Sequence, residues 1–370
     1  MSSPLILLAA GGTGGHLFPA ESLANALQAA GVRVALATDR RVSAISGSFP
    51  AEEVVEIPSA TPSGRSLPQM ARAVLLLSAG TAKAVPAIRR LRPAVVVGFG
   101  GYPTVPPVLA AALLRVPVVV HEQNGVMGRA NRLLARWATM IATGFPVVKG
   151  IPANATGRIV HTGNPVRPMV IEAAKSSFSS LAEGGRLKLL VFGGSQGARV
   201  MSDVVPAAIQ RLPAEAHARL RVTQQAREED LERVRALYDS LSVSADVQPF
   251  FKDLPARMAD AHLVVGRSGA STVAELAVIG RPSILVPLPG ALDQDQAANA
   301  AFLSAIGAAT VIPQPEFTAE RLAEELLARL RDPSGLTRAA SAAKSAGITD
   351  AAERLAQAVL QLVSSNGTQR

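Results

Sequence analysis

The stretch LILLAAGGTGGHLFPA, residues 5–20, runs a short apolar segment directly into a glycine loop and then into a helical pattern. LKLLVFGGSQGARV, residues 187–200, repeats the arrangement half a chain later. A buried strand that ends in glycine and hands over to a helix is how a parallel βαβ unit begins. Two such openings predict two units of the same kind.

The surroundings of each opening agree. In the first half LILLAA, VRVALAT, PAVVVGF, VPVVVHE and TMIATG read as strands, with PAESLANALQAAG as the helix that ends at Gly31. In the second, LKLLVF, RLRVTQQ, HLVVG and PSILVPL alternate with helices over 227–241 and 318–330. This predicts an α/β fold of two Rossmann-like, doubly wound domains. Ligands of open parallel sheets sit at the carboxyl ends of the strands, so facing domains would put one glycine loop on each wall of a cleft. The Pro- and Gly-rich run 151–168 has the composition of a linker. It places the expected boundary near Gly163, giving domains 1–163 and 164–349, and leaves a last helix from about 350 free to pack on either half.

The chain has 370 residues, 48% hydrophobic and 18% charged, enough for two cores. It has no cysteine, which excludes disulfides, thiolate metal sites and a cysteine nucleophile. The N-terminal apolar run ends at once in glycine and reads as a buried strand rather than a signal peptide. The run 104–120 is broken by Pro106, Pro107, Arg115 and Pro117, and no segment reads as membrane-spanning.

The net charge of +9 is lopsided: residues 1–165 carry 15 Lys and Arg against 6 Asp and Glu, and the remainder 22 of each. The first half should therefore meet something anionic. Nucleic acid is disfavoured, because that half has few aromatics for stacking and no reader motif. Residues 69–93 set Leu75, Leu76 and Leu77 among Arg72, Lys83, Arg89, Arg90 and Arg92. That pattern is either an amphipathic helix with a solvated basic face or one that lies in a membrane interface.

Either glycine loop can present backbone N–H groups at a helix start to a diphosphate, or can be a tight turn with no ligand. Neither is a dinucleotide fingerprint or a P-loop: Leu17 stands where a third small residue is needed, and no Gly-Lys-Ser/Thr follows. A third turn, GRSGASTVAEL at 266–276, opens another helix, with Glu275 placed either to take a ribose or to stabilise that helix start. Of five histidines only His16 lies in a glycine loop, where an imidazole can take a proton from a sugar hydroxyl. A structural role is favoured for His121, His161, His217 and His262. Glu122, Gln123 and Asn124 end a strand, where they either reach a ligand or hydrogen-bond within the turn. Asp293 and Asp295 have no carboxylate cluster around them to complete a metal site, so Asp293 and Gln296 read as sugar-hydroxyl binders rather than metal ligands.

Taken together and in order, GGTGGHLFPA, GFGGYPTVPPVLAA, HEQNGVMGRANRLLA, TGNPVR, GGSQGA, GRSGASTVAEL and DQDQ closely resemble the MurG family. These are membrane-associated N-acetylglucosaminyltransferases of bacterial peptidoglycan synthesis. The resemblance runs from about residue 5 to about 310. It implies a GT-B fold, with the C-terminal helix 350–370 crossing back to the first domain. It also implies inverting transfer of GlcNAc from UDP-GlcNAc to the C4 hydroxyl of undecaprenyl-diphospho-MurNAc-pentapeptide, lipid I. Carried over by position, Arg167, Ser195 and Gln196 would engage the donor near its diphosphate and the backbone at Phe251 would read uracil. Ala270, Ser271, Thr272 and Glu275 would meet phosphate and ribose, and Asp295 with Gln296 the sugar. Asn124 and the Thr13, Gly14, Gly15 loop would close the site. His16 would be the general base, with Tyr102 and Glu122 near the acceptor and Glu122 in support of catalysis. No metal or other cofactor is expected to be required. The basic half, helped by Arg129, Arg132 and Arg136, would dock on anionic lipid at the cytoplasmic face of the inner membrane. Other cell-wall and division proteins would be further partners. A UDP-GlcNAc 2-epimerase and a non-catalytic nucleotide-sugar scaffold are the alternatives.

Overall fold

The computed structural model describes residues 3–11, 14–39, 49–59, 67–155, 157–194, 197–290 and 295–367. The chain divides into two compact units, one of residues 1–167 with 350–370 and the other of 168–349.

The first unit is built on seven parallel strands in the order β3-β2-β1-β4-β5-β6-β7. They are β1 Leu5–Ala9, β2 Arg33–Thr38, β3 Glu53–Glu56, β4 Val95–Gly98, β5 Val118–Glu122, β6 Met140–Thr143 and β7 Arg158–His161. Strands β1, β4, β5 and β6 are buried on both faces, which is why their sequences are almost wholly apolar, with His121, Glu122 and Thr143 as polar exceptions at the strand ends. The outer strands β3 and β7 alternate or are mostly exposed. Part of the stretch with linker composition, 158–161, is in fact β7. Its pairing with β6, not its own sequence, makes it a strand.

The helix Gly14–Ala29 covers one face of this sheet through Leu17, Ala20, Leu23, Ala24 and Leu27. The C-terminal helix Ala351–Gly367 joins the same core through Leu355, Ala356, Ala358 and Val359. The other face is covered by Leu67–Leu91, Val105–Leu113 and Arg129–Leu134. The segment Gln69–Leu91 is long and apolar enough to cross a membrane, unlike the expectation for this stretch. Ala73, Ala84 and Ile88 along it are nevertheless buried in the unit's core, so it is built in as a covering helix.

The second unit has six parallel strands in the order β10-β9-β8-β11-β12-β13. These are β8 Leu187–Phe192, β9 Leu220–Gln225, β10 Ser244–Gln248, β11 Leu263–Gly266, β12 Ser283–Leu285 and β13 Ala309–Val311. Its core gathers Leu189, Val191, Val222, Leu263, Val265 and Ile284 from the strands, with Met201, Val205 and Ile209 from the helix Arg199–Gln210. In both sheets the strand order reverses beside the strand that feeds a glycine loop: β1 next to β4, and β8 next to β11. A crevice opens at that reversal, where the two following connections leave in opposite directions.

Candidate active site

In the first unit the helix 14–29 starts at the carboxyl end of β1, and its first turn carries Gly14, Gly15 and His16. The connection after the neighbouring β4 is Phe99-Gly100-Gly101-Tyr102, with φ of 84° at Gly100 and 71° at Gly101. Glycine is needed there twice over. The conformation is left-handed, and a Cβ on Gly101 would come within 3.3 Å of the His16 ring. His16 Nδ1 lies 3.1 Å from Gln123 Oε1, and Gln123 Nε2 donates to the Phe99 carbonyl at 2.8 Å. A residue at the end of β5 thus joins the helix after β1 to the turn after β4.

Glu122, expected beside a ligand, is turned the other way. It is 1% exposed. Its Oε1 accepts from the Asn124 backbone N–H and side-chain amide, and its Oε2 from the Gly128 N–H and Asn131 Nδ2. Burial pushes its carboxyl above the usual carboxylate range, and the surrounding N–H groups pull it back toward the ionised form. These bonds hold the 124–131 loop, and with it Asn124. Tyr102 opens a single 3-10 turn and packs against the apolar core under β4.

His121 is fully buried, with Nε2 3.3 Å from the Gly163 carbonyl, and burial lowers its pKa to about 4. His217 Nε2 lies 2.9 Å from the Ile209 carbonyl, and His262 Nδ1 accepts from the Lys188 N–H. Burial also lowers the pKa of His161 and of His262. His16 alone among the five combines partial exposure with a place at the strand reversal. Arg167, expected with the donor half, belongs to the first unit, where its guanidinium lies 4.6 Å over the Phe18 ring.

In the second unit the glycine loop follows β8. A Cβ on Gly193 would meet the Ala198 nitrogen at 2.2 Å, so the loop's fold requires glycine there. Gln225, at the end of β9, accepts the Gly193 N–H at 3.1 Å and donates to the Pro249 carbonyl at 3.1 Å. It therefore ties the loop to the turn that holds Phe251, whose buried ring carries Arg257 at 4.3 Å. After β11 the helix Ala270–Ile279 begins with Ala270, Ser271 and Thr272, and Glu275 is 7% exposed. Ser268 Oγ donates to the Gln296 carbonyl, and Gln296 Oε1 accepts the Leu288 N–H. Asp295 Oδ1 accepts the Gln296 N–H. The starts of helices 270–279 and Asp295–Ala305 are thereby held together. Thr13, Ser195, Gln196 and Asp293 lie outside the described residues.

Neither Gln123 nor Gln225 stood out in the sequence as a link between loops. Each stands at the end of a strand, but the partners lie 107 residues from Gln123 at His16, and 32 and 24 residues from Gln225.

Two parallel, doubly wound units, each with a glycine loop at its strand reversal, define the architecture of nucleotide-sugar glycosyltransferases of the GT-B type. Models of the glycosyltransferase family 28 N-terminal and C-terminal domains match residues 6–143 and 188–355. The chain belongs to glycosyltransferase family 28. A relative from Methylobacterium sp. (strain 4-46) is 65% identical over 98% of this chain and 97% of its own length. Another, from Methylorubrum populi, is 63% identical over 97% of both. Both are named UDP-N-acetylglucosamine--N-acetylmuramyl-(pentapeptide) pyrophosphoryl-undecaprenol N-acetylglucosamine transferase. The crystal structure of Acinetobacter baumannii MurG is similar with a TM-score of 0.79 and 29% identity, over 97% of this chain and 99% of that one.

Proposed function

We infer that this chain transfers N-acetylglucosamine from UDP-GlcNAc to the C4 hydroxyl of undecaprenyl-diphospho-MurNAc-pentapeptide, inverting the anomeric carbon to give a β-1,4-linked disaccharide lipid and UDP. The observation that carries this reading is the likeness, along nearly the whole chain, to transferases named for that reaction. The epimerase and scaffold readings have no observation of their own in their favour.

His16 is the general base of the reading. Its Nε2 takes the proton of the acceptor hydroxyl as that oxygen bonds to the anomeric carbon and the bond to UDP breaks, the diphosphate leaving with the electron pair. Backbone N–H groups at the loops after β1 and β8 oppose the developing charge, with Arg167. Phe251 backbone reads uracil. Ala270, Ser271, Thr272 and Glu275 meet phosphate and ribose, and Asp295 and Gln296 the sugar. Thr13, Gly14, Gly15, Asn124, Ser195 and Gln196 complete the donor site, and Tyr102 borders the acceptor. Turnover in chelator is expected to persist.

The protein works from the cytoplasmic face of the inner membrane as a peripheral protein. Support comes from an apolar groove of about 700 Å³ along the helix 67–91, lined by Val74, Leu77, Val85, Leu109, Leu113 and Trp137. Leu75 on that helix and Leu113 on the helix 105–113 are 73% and 72% exposed, and Arg72, Lys83 and Arg89 are exposed on the helix 67–91. Arg90 is already paired with Glu53 and contributes less to that charge. Apolar side chains among cations suit an interface rich in anionic lipid.

The test is UDP release from UDP-GlcNAc with and without a lipid I analogue. Acceptor-dependent release with a disaccharide-lipid product is expected, and free UDP-ManNAc would overturn the reading. His16→Ala should lower kcat by about 10²- to 10⁴-fold with donor affinity kept; near-normal turnover would remove His16 as the base.

A further inference from the structure

We propose that Gln123 is a positioning residue that sets the tautomer of His16. The inference rests on the reading of His16 as the base, and deepens it.

The Phe99 carbonyl can only accept, so the end of the Gln123 side chain 2.8 Å from it must be the NH₂ group. That assignment fixes which end faces His16: Oε1, an acceptor, 3.1 Å from Nδ1. Nδ1 must then carry the hydrogen. In a neutral imidazole the second nitrogen is bare, so Nε2 holds the lone pair that takes a proton.

The amide cannot easily turn over. Gln123 is 3% exposed, and reversing its side chain would set oxygen against the Phe99 oxygen. The ring is confined as well. Bare backbone at Gly100 and Gly101 lies against Cε1, Cδ2 and Nε2, where a Cβ would come to 3.3–3.4 Å. Gln123 thus acts on His16 as the carboxylate of a Ser-His-Asp triad acts on its histidine, but through a neutral acceptor that adds no charge beside the imidazole.

Three variants test this in the full chain. Gln123→Leu removes the acceptor, Gln123→Glu keeps one for Nδ1–H, and His16→Ala identifies the His16 signal. The first readout is independent of activity: ¹⁵N–¹H NMR of ¹⁵N-histidine-labelled protein, read on the uncharged ring in the deprotonated limit of a pH series. In the parent His16 Nδ1 should appear as N–H and Nε2 as bare. In Gln123→Leu the Nε2–H form should appear, and in Gln123→Glu the parent pattern should persist. The second readout is kinetic: Gln123→Leu should lower kcat about 10- to 100-fold with KM for UDP-GlcNAc within about twofold, and Gln123→Glu should recover part of the loss, because its second oxygen gives up the hydrogen bond to the Phe99 carbonyl. Circular dichroism and melting of each variant exclude misfolding as the cause. An Nε2–H tautomer in the parent, or a parent pattern unchanged in folded Gln123→Leu, overturns the proposal. Tautomer control with kcat unaffected in both Gln123→Leu and His16→Ala upholds the positioning role and refutes His16 as the base.

Discussion

Acid should weaken the first unit through His121, and by an amount that follows from its surroundings. The imidazole is 0% exposed, between the Gly163 carbonyl and the Phe99 ring, whose centroid is 5.4 Å away. Among the described residues no group donates to its Nδ1. Its pKa falls from 6.5 to about 4, chiefly because burial disfavours the cation. Between those two values the unfolded chain holds a proton that the folded one refuses, so the unfolded state binds more protons and stability falls as pH falls. The stability is intact above about pH 6.5 and is lost by about pH 4, in total roughly 3 kcal/mol at ~1.4 kcal/mol per unit. Glu122 next to it is shifted upward and gives a slope of opposite sign, so the comparison must be with a variant. His121→Gln can still donate to Gly163 but does not titrate. Trp137, the sole tryptophan, lies in the first unit, and its fluorescence reports the unfolding of that unit in urea. The stability difference between parent and His121→Gln should shrink by roughly 3 kcal/mol from pH 8 to pH 4. A difference constant to within about 0.5 kcal/mol would refute the reasoning.

Three further outcomes are expected. Gly193→Ala would force a methyl group into the Ala198 nitrogen, so UDP-GlcNAc affinity measured by calorimetry should fall at least ~10-fold, and unchanged affinity would separate the loop from the donor. Glu122→Gln sets an amide NH₂ against the N–H donors that now meet the carboxylate, and chemical unfolding should show a loss of about 1–3 kcal/mol. Leu75→Glu with Leu113→Glu should abolish sedimentation with vesicles containing anionic lipid and leave the melting temperature within a few degrees, because both side chains are exposed.

The sequence displayed the fold where burial is complete. Strands β1, β4 and β11 are continuous apolar runs, and β5 and β8 are interrupted only by His121, Glu122 and Lys188, because their faces are covered; two of the five end in glycine at the strand reversals. Strands β3, β7, β10 and β13 were not legible. EVVE, RIVH, SADVQ and ATV are short and only partly buried, and become strands by pairing with a neighbour already in place. His16 stood out because it lies within a glycine loop. The division of labour in HEQN did not, because it depends on contacts with Phe99, Asn131 and His16. Glu122 turns to the helix in front and Gln123 to the loop behind, and local pattern is blind to that choice.

The C-terminal helix 351–367 completes the core of the unit that the chain began, with all of residues 168–349 made in between. On a ribosome extending at about 5–20 residues per second, the second unit has all its strands and covering helices available while the first still lacks one helix of its shell. Leu355 and Val359 arrive last, and until then the surface they cover is apolar and open to other chains. The half that is translated first is therefore the half that matures last. A stop codon near position 349 would injure not the unit it adjoins but the one at the opposite end of the message.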